Sequence, residues 1–191
     1  NEAGADDNQP VVEPRWRDDD WTAPTDADEM EIVELTPRQL QTLSHGFEGS
    51  PETYFLDTRE QKVDSFFDPD AFDSVGMVGD EELLEEGRET RREVESNDRY
   101  VVIPEEGSRE AWRIMRDFIS FVTDDHFRDL LENAIHGKGA FRRFKDILAR
   151  HGEARELFFE YRGQRREHRM RDICAARGLL IRKLEDSDEP G

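Results

Sequence analysis

The residues best suited to chemistry form one short string, Gly137-Lys138-Gly139-Ala140-Phe141-Arg142-Arg143. Two glycines flank a lysine just ahead of a helical pattern. Glycine-rich backbone at a helix start presents unpaired N–H groups and the positive end of the helix dipole, and both favour anions. Lys138, Gly139, Arg142 and Arg143 are therefore the candidate anion-binding residues, since arginine can grip a phosphate or carboxylate with two parallel bonds. A structural account competes. Gly137 stops one helix, Gly139 supplies a left-handed turn, and the two arginines pair with carboxylates. The string is not a phosphate-binding loop of the G-x-x-x-x-G-K-[ST] type, and no strand precedes it.

Other chemistries have less support. Arg162, Arg165, Arg166, Arg169 and Arg171 crowd the last helical segment, with Phe158, Phe159 and Tyr161 among them. Arginines interleaved with aromatics can meet phosphates and bases. Against that, Leu157, Phe158, Tyr161, Met170 and Ile173 have core spacing, and Glu153, Glu156, Glu160 and Glu167 temper the charge. His45, His126, His136, His151 and His168 form no H-E-x-x-H pattern, and Asp68, Asp70 and Asp73 lack the glycine and final glutamate of a calcium loop. No metal, no cofactor and no catalytic residue is assigned. Cys174 lies mid-helix beside Ile173 and Ala175 and reads as a buried thiol.

The elements that must position these residues can be read from pattern. Residues 30–35 alternate as a short strand. Thr36 and Pro37 are an N-cap and a first-turn proline for a helix to about Phe47. The runs 53–57 and 62–67 flank a polar link and predict a β-hairpin. Residues 80–96 predict a charged surface helix, and 100–103 a third strand ended by Pro104. The second half is helical. Ser108 is expected to cap the first helix, Thr123 or Asp124 the second, and Gly137 to end it. A third helix spans 140–151 with Gly152 as its stop. A long last helix runs from about Glu153 to Arg177, stopped by Gly178 and carrying Gly163 as a site for a bend. Residues 179–184 are expected to add an edge strand. Trp112, Phe118, Phe127, Phe141, Phe144 and Phe158 should dominate the core.

The fold class is α+β: a small antiparallel sheet, a hairpin plus one or two strands, packed with a C-terminal bundle of about four helices. Residues 1–28 read as a disordered acidic arm, 29–184 as a single domain and 185–191 as a frayed tail. Trp16 and Trp21 are unusual in such an arm. Either they fold back onto the domain, the favoured reading, or they anchor a partner.

The chain has 191 residues and a net charge of −20. All of that net charge lies in residues 1–100, where 29 acidic side chains face 9 basic ones. Residues 137–184 carry 14 basic against 6 acidic. The acidic half should repel nucleic acid and anionic membrane, whereas the basic stretch can attract either or pair with the chain's own carboxylates. One cysteine excludes a disulfide within the chain. No apolar run is long enough to span a membrane, so the cytoplasm is the expected compartment.

Three strings carry a resemblance: YFLDTREQKV at 54–63, IPEEGSREAWRIMRDFI at 103–119 and GKGAFRRFKD at 137–146, followed by Phe158, Phe159 and Tyr161. In this order they resemble the uncharacterised protein family numbered 0158 in the bacterial UPF series. The resemblance covers roughly residues 30–184 and implies a fold without implying a chemistry. The expectation is a non-catalytic binding or regulatory protein with a protein partner. A nucleic-acid-associated protein using the basic 137–171 surface is one alternative, and an enzyme acting on an anionic, phosphate-containing small molecule at the GKG turn is another.

Overall fold

The computed structural model describes residues 11–18, 20–49, 51–69 and 80–185. The elements are β1 (Glu31–Leu35), α1 (Pro37–His45), β2 (Glu52–Asp57), β3 (Lys62–Phe67), α2 (Glu81–Ser96), β4 (Tyr100–Val102), α3 (Ser108–Ile119), α4 (Asp125–Ala134), α5 (Ala140–Leu148), α6 (Gly152–Ala175) and β5 (Leu179–Lys183). The fold is α+β. The chain divides into two compact units. One comprises Gly107–Arg165 with the described part of residues 1–21. The other comprises Thr22–Glu106 with Arg166 onward.

The sheet-bearing unit holds an antiparallel sheet of order β3-β2-β4. Its hairpin register runs from Glu52 opposite Phe67 to Asp57 opposite Lys62. The strand at 31–35 does not join it. Instead β1 pairs in parallel with β5, Glu31 opposite Leu179 through Leu35 opposite Lys183. Parallel strands need a long connection between them, and here most of the chain provides it. Alternation explains the burial, with Val33, Leu35, Leu179 and Ile181 turned inward. They meet Leu40, Leu43, Phe47, Leu56, Met170 and Cys174 in one core. Burial pushes the Cys174 thiol up to about 11. The helix α2 is not wholly superficial. Val94 packs with Phe55, Phe66 and Tyr100. At Gly87 a side-chain carbon would lie 2.2 Å from the Phe67 carbonyl oxygen, so this glycine lets helix and strand backbones meet.

Local sequence sets most element ends. Thr36 and Gln39 form a reciprocal capping box, with Pro37 in the first turn. Asp124 caps α4 by accepting from the Phe127 N–H at 2.6 Å. Two expectations are corrected. The α3 N-cap is Gly107, whose extended backbone accepts from the Ala111 N–H at 3.0 Å, and Ser108 is the first helical residue. Gly152 opens α6, whereas α5 ends at Leu148. Gly178 has φ of 73° and turns the chain from α6 into β5.

The helical unit is built on aromatic rings. Phe118 lies 5.2 Å from Phe158, and Phe144 lies 5.0 Å from Phe158, all near edge-to-face. Trp16 joins them, 5.2 Å from Tyr161 and only 2% exposed. The expected disordered arm is therefore corrected over residues 11–18, while residues 1–10 lie outside the described part. Backbone bonds fix the segment, Glu13 N–H to Phe121 oxygen at 2.8 Å and Thr123 N–H to Val11 oxygen at 2.9 Å. Gln164 donates to the Trp16 carbonyl at 2.8 Å, and Arg17 pairs bidentately with Glu160. Burial of Val12 and Trp16 together with these hydrogen bonds offsets the chain entropy lost in ordering the segment. Trp21, by contrast, is only half-buried.

Two outcomes are expected. Trp16→Ala should cost about 3–5 kcal/mol of stability, as for other large-to-small core changes, read by urea unfolding followed by circular dichroism. Trp21→Ala should cost less than half as much. In the sheet-bearing unit, Arg99 donates two bonds to the Asp57 carboxylate, which also accepts from the Arg59 and Glu60 N–H groups. The Arg99 bonds, foremost, hold the Asp57 carboxyl below the usual carboxylate range. A depressed folded value means the contribution is present above the unfolded value of about 3.9 and is lost as pH falls through the folded one. Asp57→Asn should therefore be less stable at neutral pH and show a shallower acid limb in a stability–pH profile.

Candidate functional site

The GKG turn joins α4 to α5. Gly137 and Gly139 have φ of 72° and 82°, a left-handed geometry that explains both glycines. The last carbonyls of a helix lack partners within it, and here two side chains supply them. Trp112 donates from Nε1 to the Ile135 oxygen at 3.0 Å. Arg143 donates from Nε to the Ala134 oxygen at 3.2 Å, from Nη1 to the Lys138 oxygen at 2.7 Å, and from Nη2 to the His136 oxygen. At Gly139 an added side-chain carbon would sit 3.2 Å from that Nη1.

The four residues singled out in the sequence thus separate. Arg143 caps α4 instead of facing a ligand. Gly139 is the α5 N-cap and offers no side-chain bond. Lys138 is exposed. Arg142 is 90% exposed and reaches Asp146 only at 3.8 Å. Among the described residues, neither arginine pairs with a carboxylate of the acidic half. A positive charge beside a helix C-terminus is favoured by the dipole as well as by hydrogen bonds, which explains why Arg143 turns back.

A different feature lies one turn further along. Phe141, expected in the core, is 37% exposed. It lines a small apolar pocket of about 40 Å³ with Met115, Phe144 and Phe158, and Lys145 and Arg162 lie in the same wall. Phe141 and Lys145 are four residues apart on α5, as are Phe158 and Arg162 on α6, so each helix presents a ring and a cation on one face. Phe159 on α6 is 48% exposed, with the Arg155 guanidinium 5.5 Å from its ring. Helical periodicity places Phe141 inward together with Phe144. The signal available in the sequence was the repeated ring-to-cation spacing of four, which local reading assigned to core and salt bridges.

Among the described residues, no group of His, Cys, Asp and Glu has the arrangement to hold a metal ion, and no helix is long and apolar enough to cross a membrane.

The Arg143 caps generate a contrast between neighbours. Arg143→Ala should cost about 1–3 kcal/mol by leaving carbonyls without donors and should speed amide exchange over residues 131–140. Arg142→Ala should leave both within about 0.5 kcal/mol of the parent, as for other surface changes. Hydrogen–deuterium exchange reads the difference.

The sequence pattern of the Uncharacterised protein family (UPF0158) matches residues 55–180, well over half of the chain, and the protein belongs to that family. Neither a curated protein nor a solved structure matches the chain.

Proposed function

We propose that this family member is a non-catalytic binding or regulatory protein, and that its helical unit takes an acidic protein segment carrying an apolar side chain. One observation carries the reading: the Phe141 ring stays exposed at a pocket floored by Met115, Phe144 and Phe158, with Lys145 and Arg162 in its wall. Aromatic anchors beside arginines are enriched where proteins bind one another. The pocket suits the end of one aliphatic side chain, and Lys145 suits a carboxylate beside it. The net charge of −20 does not oppose this. At physiological ionic strength fields are screened beyond about 8 Å, so nearby cations outweigh distant carboxylates.

A second reading, a single-stranded nucleic acid, draws on Arg155 lying over Phe159. A ring flanked by arginine can stack a base. The two readings predict different losses. A labelled Asp/Glu-rich peptide with a central leucine should bind by fluorescence anisotropy. Phe141→Ala should weaken it roughly tenfold, about 1.4 kcal/mol, and so should replacing the leucine by serine. No peptide binding, or binding indifferent to both changes, removes the reading. Single-stranded RNA that binds instead and is lost with Arg155→Ala supports the second.

A further inference from the structure

We infer that a cleft beside the β2–β3 turn, in the sheet-bearing unit, binds a small phosphate-bearing ligand through Arg59, Gln61 and Asn97. The cleft measures about 450 Å³ and is lined by Glu31, Thr58, Arg59, Gln61, Asn97 and Arg99. What matters is which polar atoms remain available. Asn97 Oδ1 accepts from the Arg99 N–H at 3.0 Å. Gln61 Oε1 accepts from the Glu34 N–H at 3.0 Å. With both amide oxygens occupied by backbone donors, each side chain has its NH2 group left for the cleft. The Thr58 hydroxyl donates to the Arg99 carbonyl at 2.8 Å. The Arg99 charge is already matched by Asp57, at 2.7 Å for the Nε bond. Arg59 is exposed, and its guanidinium supplies the uncompensated charge and several further donors.

The backbone that carries these donors is fixed before any ligand arrives. Asp57 accepts from the N–H groups of Arg59 at 3.0 Å and Glu60 at 3.1 Å, which sets the turn that carries Arg59. Gln61 has φ of 49°, uncommon for a residue with a side chain. It is held there by Gln39, which donates to its carbonyl at 2.8 Å, and by the Glu34 bond. Backbone strain kept in place from two sides is a known mark of binding sites. Donors from three side chains suit an oxyanion with several oxygens. The cleft exceeds a phosphate in size, and Glu31 is an acceptor on its wall, so a ligand with hydroxyl groups attached to the phosphate fits best.

The probes are ribose 5-phosphate, inorganic phosphate and ribose, followed by NMR of the Asn97 and Gln61 side-chain amides and by calorimetry. Ribose 5-phosphate should shift both amide signals, and ribose should not. Arg59→Ala and Asn97→Asp should each weaken binding roughly tenfold or more. The Asp variant keeps the acceptor oxygen and replaces the donor by a carboxylate, so it tests the donor without removing the turn bond. Arg92→Ala, an exposed arginine elsewhere, should bind as the parent does. Unmoved amide signals at millimolar ribose 5-phosphate, or affinity unchanged in both Arg59→Ala and Asn97→Asp, overturns the inference.

Discussion

A buried guanidinium organises the sheet-bearing unit. The Arg166 side chain is 7% exposed and bonds Glu48 at 2.8 Å and Glu106 at 3.3 Å, and the Glu106 side chain is 1% exposed. Taking such charges out of water costs several kcal/mol each unless geometry and hydrogen bonds repay it. The requirement to pair them therefore brings together the turn after α1, the Ile103–Glu106 segment and the C-terminal half of α6. The same contact is reinforced by the Glu106 N–H, which bonds the Phe47 oxygen at 3.2 Å, and by Arg169, 5.0 Å from the Phe47 ring. Gly46 lies where a side-chain carbon would sit 2.9 Å from Ile103, so the turn can close only without one. The start of β2 follows from that closure, and β2 carries the Asp57 turn at its other end.

Arginine acts elsewhere in this protein as an internal fastener for carbonyl oxygens. Arg143 holds the end of α4. Arg171 donates to the Ile181 oxygen at 2.8 Å, Arg177 to the Tyr100 oxygen at 3.1 Å and Arg128 to the Val122 oxygen at 2.8 Å. The planar fork reaches several acceptors at once with its charge retained, which lysine cannot match. A count of basic residues over 137–184 therefore overstates the positive surface on offer. Among the described residues, Lys138, Arg142 and Lys145 on one unit and Arg59 on the other make no such bond to a carbonyl, and Arg142 meets Asp146 at 3.8 Å.

Those remaining groups sit in two different settings. On the helical unit, cations accompany exposed rings, which suits a partner with both carboxylates and apolar groups. On the sheet-bearing unit, amide and guanidinium donors line a polar cleft with little apolar surface, which suits a small hydrophilic anion. Neither setting coincides with the glycine-flanked lysine, because the helix end beside that turn claims Arg143 for itself.

Local pattern in the sequence determined the α+β class, the hairpin, the approximate positions of the helices, the Thr36 cap and the family, and it narrowed the α4 cap to Thr123 or Asp124. Each of these depends on neighbours a few residues apart, so spacing carries the information. Four matters were decided only in three dimensions. β1 and β5 pair with each other because their apolar faces share one core, although nearly the whole chain separates them. Trp16 is buried because Phe118, Phe121 and Tyr161 leave room for a fourth ring. Phe141 is 37% exposed although its helical position points inward, because a helical wheel records direction without recording room. Arg143 caps a helix because three carbonyl oxygens lie within reach of its guanidinium, a matter of distance that residue type and spacing do not contain.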